Sequence, residues 1–172
     1  LRFVGRGFRA HDPAWSFTPL SGVGAAMTGG RFNRKGEAAL YLSLDVITSI
    51  GECTQGFSHR LQPLTMCEYD VDCEDVADFR DDAARLQHGV SRNELGCAWL
   101  TYLLAGKEAP SWLAAARMQA AGHSGLIVPS FVPGASDANL NLVLWKWGPD
   151  LPHKVSVYDP GGRLPKNQLS WR

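Results

Sequence analysis

Three residues that can do chemistry together fall within one short run. The segment GGRFNRKGEAALYLSLDVITSIGE, residues 29–52, delivers Arg31, Tyr41 and Glu52 in that order. Arginine offers a planar fork that matches phosphate oxygens in pairs. An aromatic face stacks on a flat ring, including a cationic one. A carboxylate stabilises positive charge that develops on a sugar as its glycosidic bond breaks. A diphosphate, a cationic aromatic ring and a cleavable N-glycosidic bond occur together in NAD+. Each residue alone has an ordinary reading: Arg31 as an ion-pair partner, Tyr41 as a half-buried strand residue, Glu52 as a solvated glutamate. The combination carries the suggestion.

The elements that must position these residues are legible in part. Arg31–Asn33 and Ala38–Leu44 read as a hairpin around Lys35-Gly36. Along the second arm Leu40, Leu42 and Leu44 share the oily face, so Tyr41 and Ser43 take the other. An odd loop such as Lys35-Gly36-Glu37 pairs Arg31 with Tyr41, whereas an even loop sets a charge among leucines. The odd loop is therefore expected, with Arg31, Asn33, Tyr41 and Ser43 on one polar face. Val46–Phe57 reads as a helix with Val46, Ile47, Ile50, Cys53 and Phe57 on its apolar stripe, and Glu52 lies off that stripe.

Elsewhere the pattern predicts a short strand at Phe8–Ala10 and a long irregular loop over HDPAWSFTPLSGVGAA. A strand is expected at Leu64–Val71, followed by an acidic connector. Ser91 with Glu94 forms a capping-box pattern that opens a helix through about Leu104. Pro110-Ser111 opens another helix, ended by Gly122. Gly125–Pro129, Leu140–Trp147 and Lys154–Tyr158 read as strands. The expected fold class is α+β, a mixed sheet with inserted helices, in a single domain over residues 1–172.

Bulk properties narrow the function classes. The 172 residues are 45% hydrophobic, with 17 basic and 17 acidic side chains and zero formal net charge. A protein that grips nucleic acid through phosphates carries a basic excess, so no direct nucleic-acid contact is expected. Cys53, Cys67, Cys73 and Cys97 form no C-x-x-C pair, and the five histidines make no zinc spacing, so no metal is expected. The cysteines read as reduced and mostly buried, which suits the cytoplasm. No apolar run approaches membrane-span length, and no leader-like segment is expected. GRGFRA, residues 5–10, fits a dinucleotide fingerprint in letters, but it is not expected to open a phosphate-binding helix, because Pro13 soon follows. No P-loop and no G-x-S-x-G elbow is present. Trp145-Lys146-Trp147 reads as half core and half edge of a strand rather than as a base-stacking platform.

Several of these segments together resemble the RES-domain family, bacterial toxins named for an arginine, a glutamate and a serine. GGRFN is similar to the family's Gly-Gly-Arg-aromatic-Asn and supplies Arg31. ALYLSL resembles its tyrosine strand and supplies Tyr41, and Glu52 falls at the family's glutamate in the next helix. GLIVPS resembles the apolar strand that ends in Pro-Ser and supplies Ser130. NLVLW, residues 141–145, resembles the closing strand, and FRAHDP places Arg9 near the start. The resemblance runs from about Phe8 to Trp147. It implies a fold like that of ADP-ribosyltransferases, NAD+ as substrate, and a helical antitoxin as partner, often with a helix-turn-helix DNA-binding domain of the Xre type. It also implies roles: Arg31 near the diphosphate, Tyr41 against the nicotinamide or its ribose, Glu52 on that ribose, and Ser130 on the nicotinamide side. Asn33 and Asn141 orient the site or cap loops. Family acceptors for ADP-ribose are phosphate, water or a protein side chain. The expected activity is transfer to a protein, with an NAD+ phosphorylase or glycohydrolase as the alternative. From other classes, a ribonuclease toxin or a non-catalytic binding module remains open.

Overall fold

The computed structural model describes residues 1–54 and 62–169. Seven strands form one sheet: β1 (Phe3–His11), β2 (Leu40–Ser43), β3 (Thr65–Cys73), β4 (Val76–Asp78), β5 (Gly125–Pro129), β6 (Leu140–Leu144) and β7 (His153–Val157). Their spatial order is β4-β5-β6-β2-β1-β3-β7. Every neighbouring pair is antiparallel except β4–β5. Helices α1 (Val23–Thr28), α2 (Val46–Thr54), α3 (Asp82–Gln87), α4 (Arg92–Leu95), α5 (Trp99–Leu104) and α6 (Pro110–Ala120) are inserted between them. The fold is α+β with a mixed sheet, as expected.

The alternation along β2 decides which side of the sheet carries chemistry. Leu40 and Leu42 lie opposite Leu144 and Leu142 of β6 and join a core with Tyr69 and Val71 of β3. Tyr41 and Val143 belong to the other face, whose core includes Phe79, Leu95 and Met118. Sliding β2 by one residue would trade two buried leucines for Tyr41 and Ser43. At about 1.5–3 kcal/mol for each buried leucine, that register is strongly disfavoured. Strand β5 is buried at all five positions, with β4 on one side and β6 on the other. Its unbroken apolar run follows from that position.

The expected hairpin does not form. Residues Gly30 and Asn33 make an isolated bridge that closes a tight turn, and β2 starts only at Leu40. Its partners are β6 and, at the single pair Phe8↔Ser43, β1. Side chains rather than a ladder satisfy the turn's backbone: indole N–H groups reach the carbonyls of Gly30 and Phe32, and the Tyr41 hydroxyl takes the Phe32 N–H.

Helix α2 differs from its expected stripe. Val46 and Ile47 are exposed, whereas Thr48 and Ser49 are buried. Phe57, the last residue assigned to that stripe, lies outside the described residues. Strand β1 runs nine residues, so GRGFRA sits inside a strand and opens no helix. Gly5 and Gly7 weaken the strand signal in the sequence. At Gly7 a Cβ would stand 2.8 Å from the Leu42 side chain, so the glycine lets β2 approach. The acidic connector holds β4 and α3 instead, and α1 begins within the expected loop and runs past its end. The helix expected from Ser91 to Leu104 keeps its capping box but breaks into α4 and α5. At the break, Gly96 leaves room for Phe131, which would lie 2.9 Å from an added Cβ.

Candidate active site

Arg31 projects from a turn with little freedom to move. Gly29 has φ of 74°, in the left-handed region. A Cβ on Gly30 would lie 2.6 Å from both the Asn33 amide oxygen and the Tyr41 hydroxyl, so only glycine fits. Trp112 Nε1 donates to Gly30 O at 2.7 Å and Trp145 Nε1 to Phe32 O at 2.9 Å. Asn33, 1% exposed, donates through Nδ2 to the carbonyls of Ala25, Arg34 and Glu37. Its Oδ1 accepts the Tyr41 hydroxyl at 2.7 Å, and the Tyr41 oxygen in turn accepts the Phe32 N–H at 2.9 Å. The guanidinium of Arg31 donates to Cys97 O at 2.6 Å and Leu95 O at 3.3 Å, carbonyls at the α4–α5 break. It also lies 5.0 Å from the centre of the Phe131 ring. Burial lowers its pKa, and Cys97, Glu52 and Tyr41 oppose that shift. A guanidinium still keeps its charge. Among the described residues no carboxylate takes the fork; it rests on main-chain carbonyls.

Glu52 stands across from it on α2. Its Oε1 accepts the Ser130 hydroxyl at 2.7 Å and the Asn141 side-chain N–H. The Asn141 Oδ1 is itself held by the Ser43 hydroxyl at 2.8 Å, from the residue directly opposite it in the β2–β6 ladder. Both donors converge on one oxygen. Among the described residues no hydrogen bond reaches Oε2, which leaves it for a ligand.

Between these two sides lies a cleft of about 660 Å³. It opens where β1 and β2 part after their single registered pair. Beyond that pair the free edge of β1 is taken by α2: Ser49 Oγ accepts the Ala10 N–H at 2.9 Å, and Cys53 Sγ donates to Ala10 O at 3.2 Å. Arg31, Tyr41, Ser43, Glu52 and Asn141 all line the cleft. Asn33 and Ser130 do not; Asn33 ties the turn together and Ser130 bonds Glu52. Burial pushes the Tyr41 phenol well up, so it stays neutral and its hydroxyl is spent on the turn. Its ring is what it presents to the cleft. Although the Cys53 residue is exposed, its thiol is turned to the Ala10 carbonyl and its partial desolvation pushes it up, with Arg9 opposing, which disfavours a thiolate nucleophile there. A second depression, of about 480 Å³ around Trp147, Pro149 and His153, contains neither arginine nor glutamate.

Sequence reasoning passes over several cleft residues. Arg9 lines it from β1 while its Nη1 donates to Pro19 O and Ser21 O. FRAHDP points to Arg9 without giving it a role. Trp99, Leu100 and Phe131 add an apolar wall, and nothing in their spacing signals it. The two indoles that hold the turn come from Trp112 and Trp145, far along the chain. Among the described residues, no group of three or more His, Cys, Asp and Glu is placed to hold a metal ion. No helix there is long and apolar enough to cross a membrane. Of the four cysteines, Cys67 and Cys73 are buried, Cys97 is half-buried, and Cys53 is exposed.

A family model described as the RES domain matches residues 6–167. The chain belongs to the RES-domain family. Among solved structures, the M. tuberculosis MbcT–MbcA toxin–antitoxin complex contains a chain similar to this RES domain. The TM-score is 0.60 at 17% identity, covering 92% of this chain and 84% of that one. At that identity the likeness speaks for the fold. No curated protein matches the sequence. The RES match spans both sides of the cleft, from β1 through β7, so Arg31, Glu52 and Ser130 all lie within it.

Proposed function

We propose that this RES domain cleaves the nicotinamide N-glycosidic bond of NAD+ and transfers ADP-ribose, as the toxin of a toxin–antitoxin pair. The observation that carries the reading is Glu52 held by two donors on one oxygen, facing a guanidinium across a cleft large enough for a dinucleotide. Arg31 grips the diphosphate. The Tyr41 ring packs against the nicotinamide or its ribose. Glu52 meets the nicotinamide ribose through Oε2 and stabilises the positive charge that forms there. As the bond breaks, its electron pair moves onto the nicotinamide nitrogen and the ring leaves neutral. The acceptor then bonds the anomeric carbon and gives up its proton. Ser130 and Asn141 act through Glu52, keeping its carboxylate turned to the sugar.

The acceptor we favour is a protein side chain. A small acceptor, phosphate or water, is the second reading. A second guanidinium in the same cleft, Arg9, supports it by offering an anion another cation. The proposed partner is a helical antitoxin, of the Xre helix-turn-helix type, seated over the cleft. Met27 on α1 and Leu100 on α5 stand 64% and 49% exposed on elements that line the cleft, apolar surface such a partner would cover. The similar M. tuberculosis structure is itself a toxin–antitoxin complex, which supports a partner of that kind. The deciding experiment incubates purified protein with NAD+ labelled in the adenylate half, with and without phosphate and with and without cell lysate. Label on a protein band supports the first reading. Label on ADP-ribose 1″-phosphate or free ADP-ribose supports the second. Intact NAD+ under all conditions defeats both and leaves a binding module.

A further inference from the structure

Helix α2 is turned against its own composition. Its apolar Ile47 is 74% exposed, while Thr48 and Ser49 are 5% and 4% exposed. A surface helix ordinarily buries its apolar stripe, and burying a hydroxyl costs free energy unless it is hydrogen-bonded. Every polar group turned inward here has a partner. Ser49 holds the Ala10 N–H. Thr48 Oγ1 donates to Asp45 Oδ2 and accepts Asn139 Nδ2 at 2.9 Å. Glu52 accepts Ser130 and Asn141.

The spacing of these partners is what makes them a unit. Thr48 and Glu52 are four residues apart on the helix, hence on one face, and separated by about 6 Å along its axis. Asn141 lies in β6 and Asn139 immediately before it, where the Ser130 N–H to Asn139 carbonyl bond continues the pairing of Pro129 with Leu140; two residues of strand spacing are about 6.8 Å. The two pitches match, and the asparagines meet the threonine and the glutamate as two rungs. Sliding α2 by one residue would break both rungs, because it rotates the helix by about 100° as well as shifting it about 1.5 Å. Asn139 is also fixed from behind. Its carbonyl accepts the Ser130 N–H at 2.7 Å, and its Oδ1 accepts the Ser136 N–H at 2.9 Å. One residue thus ties the Glu52 helix to the strand end that carries Ser130.

We propose that Asn139 and Thr48 are positioning residues for Glu52: their hydrogen bond sets the axial register of α2 and so presents the Glu52 carboxylate in one orientation to Ser130, Asn141 and substrate. Neither residue lines the cleft, so neither touches the reacting atoms. The proposal rests on the NAD+-cleaving reading.

The test compares NAD+ consumption by wild type, Thr48→Val, Thr48→Ser, Asn139→Asp and Glu52→Gln, with kcat and KM determined separately. Thr48→Val removes the hydroxyl at nearly constant shape. Thr48→Ser keeps the hydroxyl. Asn139→Asp keeps the Ser136 acceptor and loses the donor to Thr48. Misplacing a catalytic group by a fraction of an ångström to one ångström costs about 10–100-fold in rate. The expected result is a kcat loss of about tenfold or more for Thr48→Val and Asn139→Asp, with KM within about twofold of wild type. Thr48→Ser is expected to stay near wild type. Adding Thr48→Val to Glu52→Gln should lower kcat no further, since Thr48 acts only through Glu52. Wild-type kcat in Asn139→Asp, beside an impaired Glu52→Gln, overturns this proposal and spares the NAD+ reading. So does a full additional loss in the double variant. Asn139→Asp decides the matter should Thr48→Val fail to fold. Wild-type protein that leaves NAD+ intact overturns both.

Discussion

Arg31 and Glu52 face the same cleft but are held by different kinds of bond. The arginine hangs from a turn whose main chain is tied to the core by two tryptophan indoles, a tyrosine hydroxyl and a buried asparagine. The guanidinium itself rests on two main-chain carbonyls. The glutamate hangs from a helix whose inward face meets the sheet through side-chain hydrogen bonds. On the arginine side, the groups that position the charge also complete the hydrophobic core that contains Phe32 and Ala39, with Tyr41 and Trp145 packed on it. On the glutamate side, they are polar groups that a purely structural helix would not bury. Damage to the first side is therefore expected to appear as lost stability, and damage to the second as lost turnover.

The largest effect expected from this contrast is on the glutamate side. Glu52→Gln keeps the size and one acceptor oxygen, so fold and NAD+ affinity should survive. It removes the charge that matters as positive charge moves onto the ribose, which is a transition-state loss. Turnover should fall about 10²–10³-fold, with relief of toxicity in cells. Single-turnover assays alongside equilibrium NAD+ titration check it; turnover at the wild-type rate would return Glu52 to an ordinary surface glutamate. Asn33→Ala probes the arginine side. It strands three carbonyls and the Tyr41 hydroxyl, at about 1–3 kcal/mol for each group that stays both buried and unpaired. Chemical denaturation should show a loss of about 3 kcal/mol in total, part of the penalty being relieved by water. Unchanged stability together with lost turnover would reverse the contrast.

This contrast also explains what is legible in the sequence. The β2 alternation is readable because period-2 patterning reports burial directly, and Tyr41 and Ser43 share the face it assigns them. The capping box at Ser91 is readable because it is local. The turn around Arg31 is not, since two of its hydrogen-bond partners are Trp112 and Trp145, and no local pattern announces an indole that arrives from so far along the chain. A hairpin is the natural inference for a chain whose backbone bonds have no other visible partner. The orientation of α2 eludes the sequence for a related reason. An apolar stripe predicts an inward face only where the opposing surface is apolar, and here Asn139, Asn141 and Ser130 make it polar. Arg31 and Glu52 are proposed from residue type and family resemblance, and both line the cleft. Asn33, expected beside Arg31 on a polar face, instead turns inward because the turn needs its amide.

Arg31→Lys tests the cation alone. It keeps the charge and the long stem but replaces a planar fork with a point ammonium. Affinity for NAD+ should weaken by about 1.5–3 kcal/mol, the scale of a charged hydrogen bond. Stability should change little, because the turn is tied through its main chain and not through this guanidinium. Calorimetric titration and a thermal melt on the same sample separate the two. Unchanged affinity would remove Arg31 from the diphosphate, and a large stability loss would show that the guanidinium bonds to Leu95 and Cys97 are structural.

The smallest expected effect lies behind the glutamate side, at His11. It follows Ala10, whose main chain anchors α2, and both of its ring nitrogens are buried without a hydrogen-bond partner among the described residues. Burial lowers its pKa from 6.5 to about 4, helped by the Arg9 charge and opposed by Asp12. The folded protein therefore keeps the ring neutral where the unfolded chain would take up a proton. This favours the fold above about pH 6.5, and the contribution is lost progressively as pH falls from 6.5 to about 4. His11→Leu removes the titration and leaves an apolar side chain where no hydrogen bond is broken. Wild-type Tm should fall faster than the variant's across that window, and the two slopes should agree above pH 7. Carboxylates contribute to acid unfolding in both proteins and cancel in the comparison. Parallel slopes throughout would mean that His11 protonates as readily in the fold as outside it, and that the end of β1 behind α2 is wetter than its packing implies.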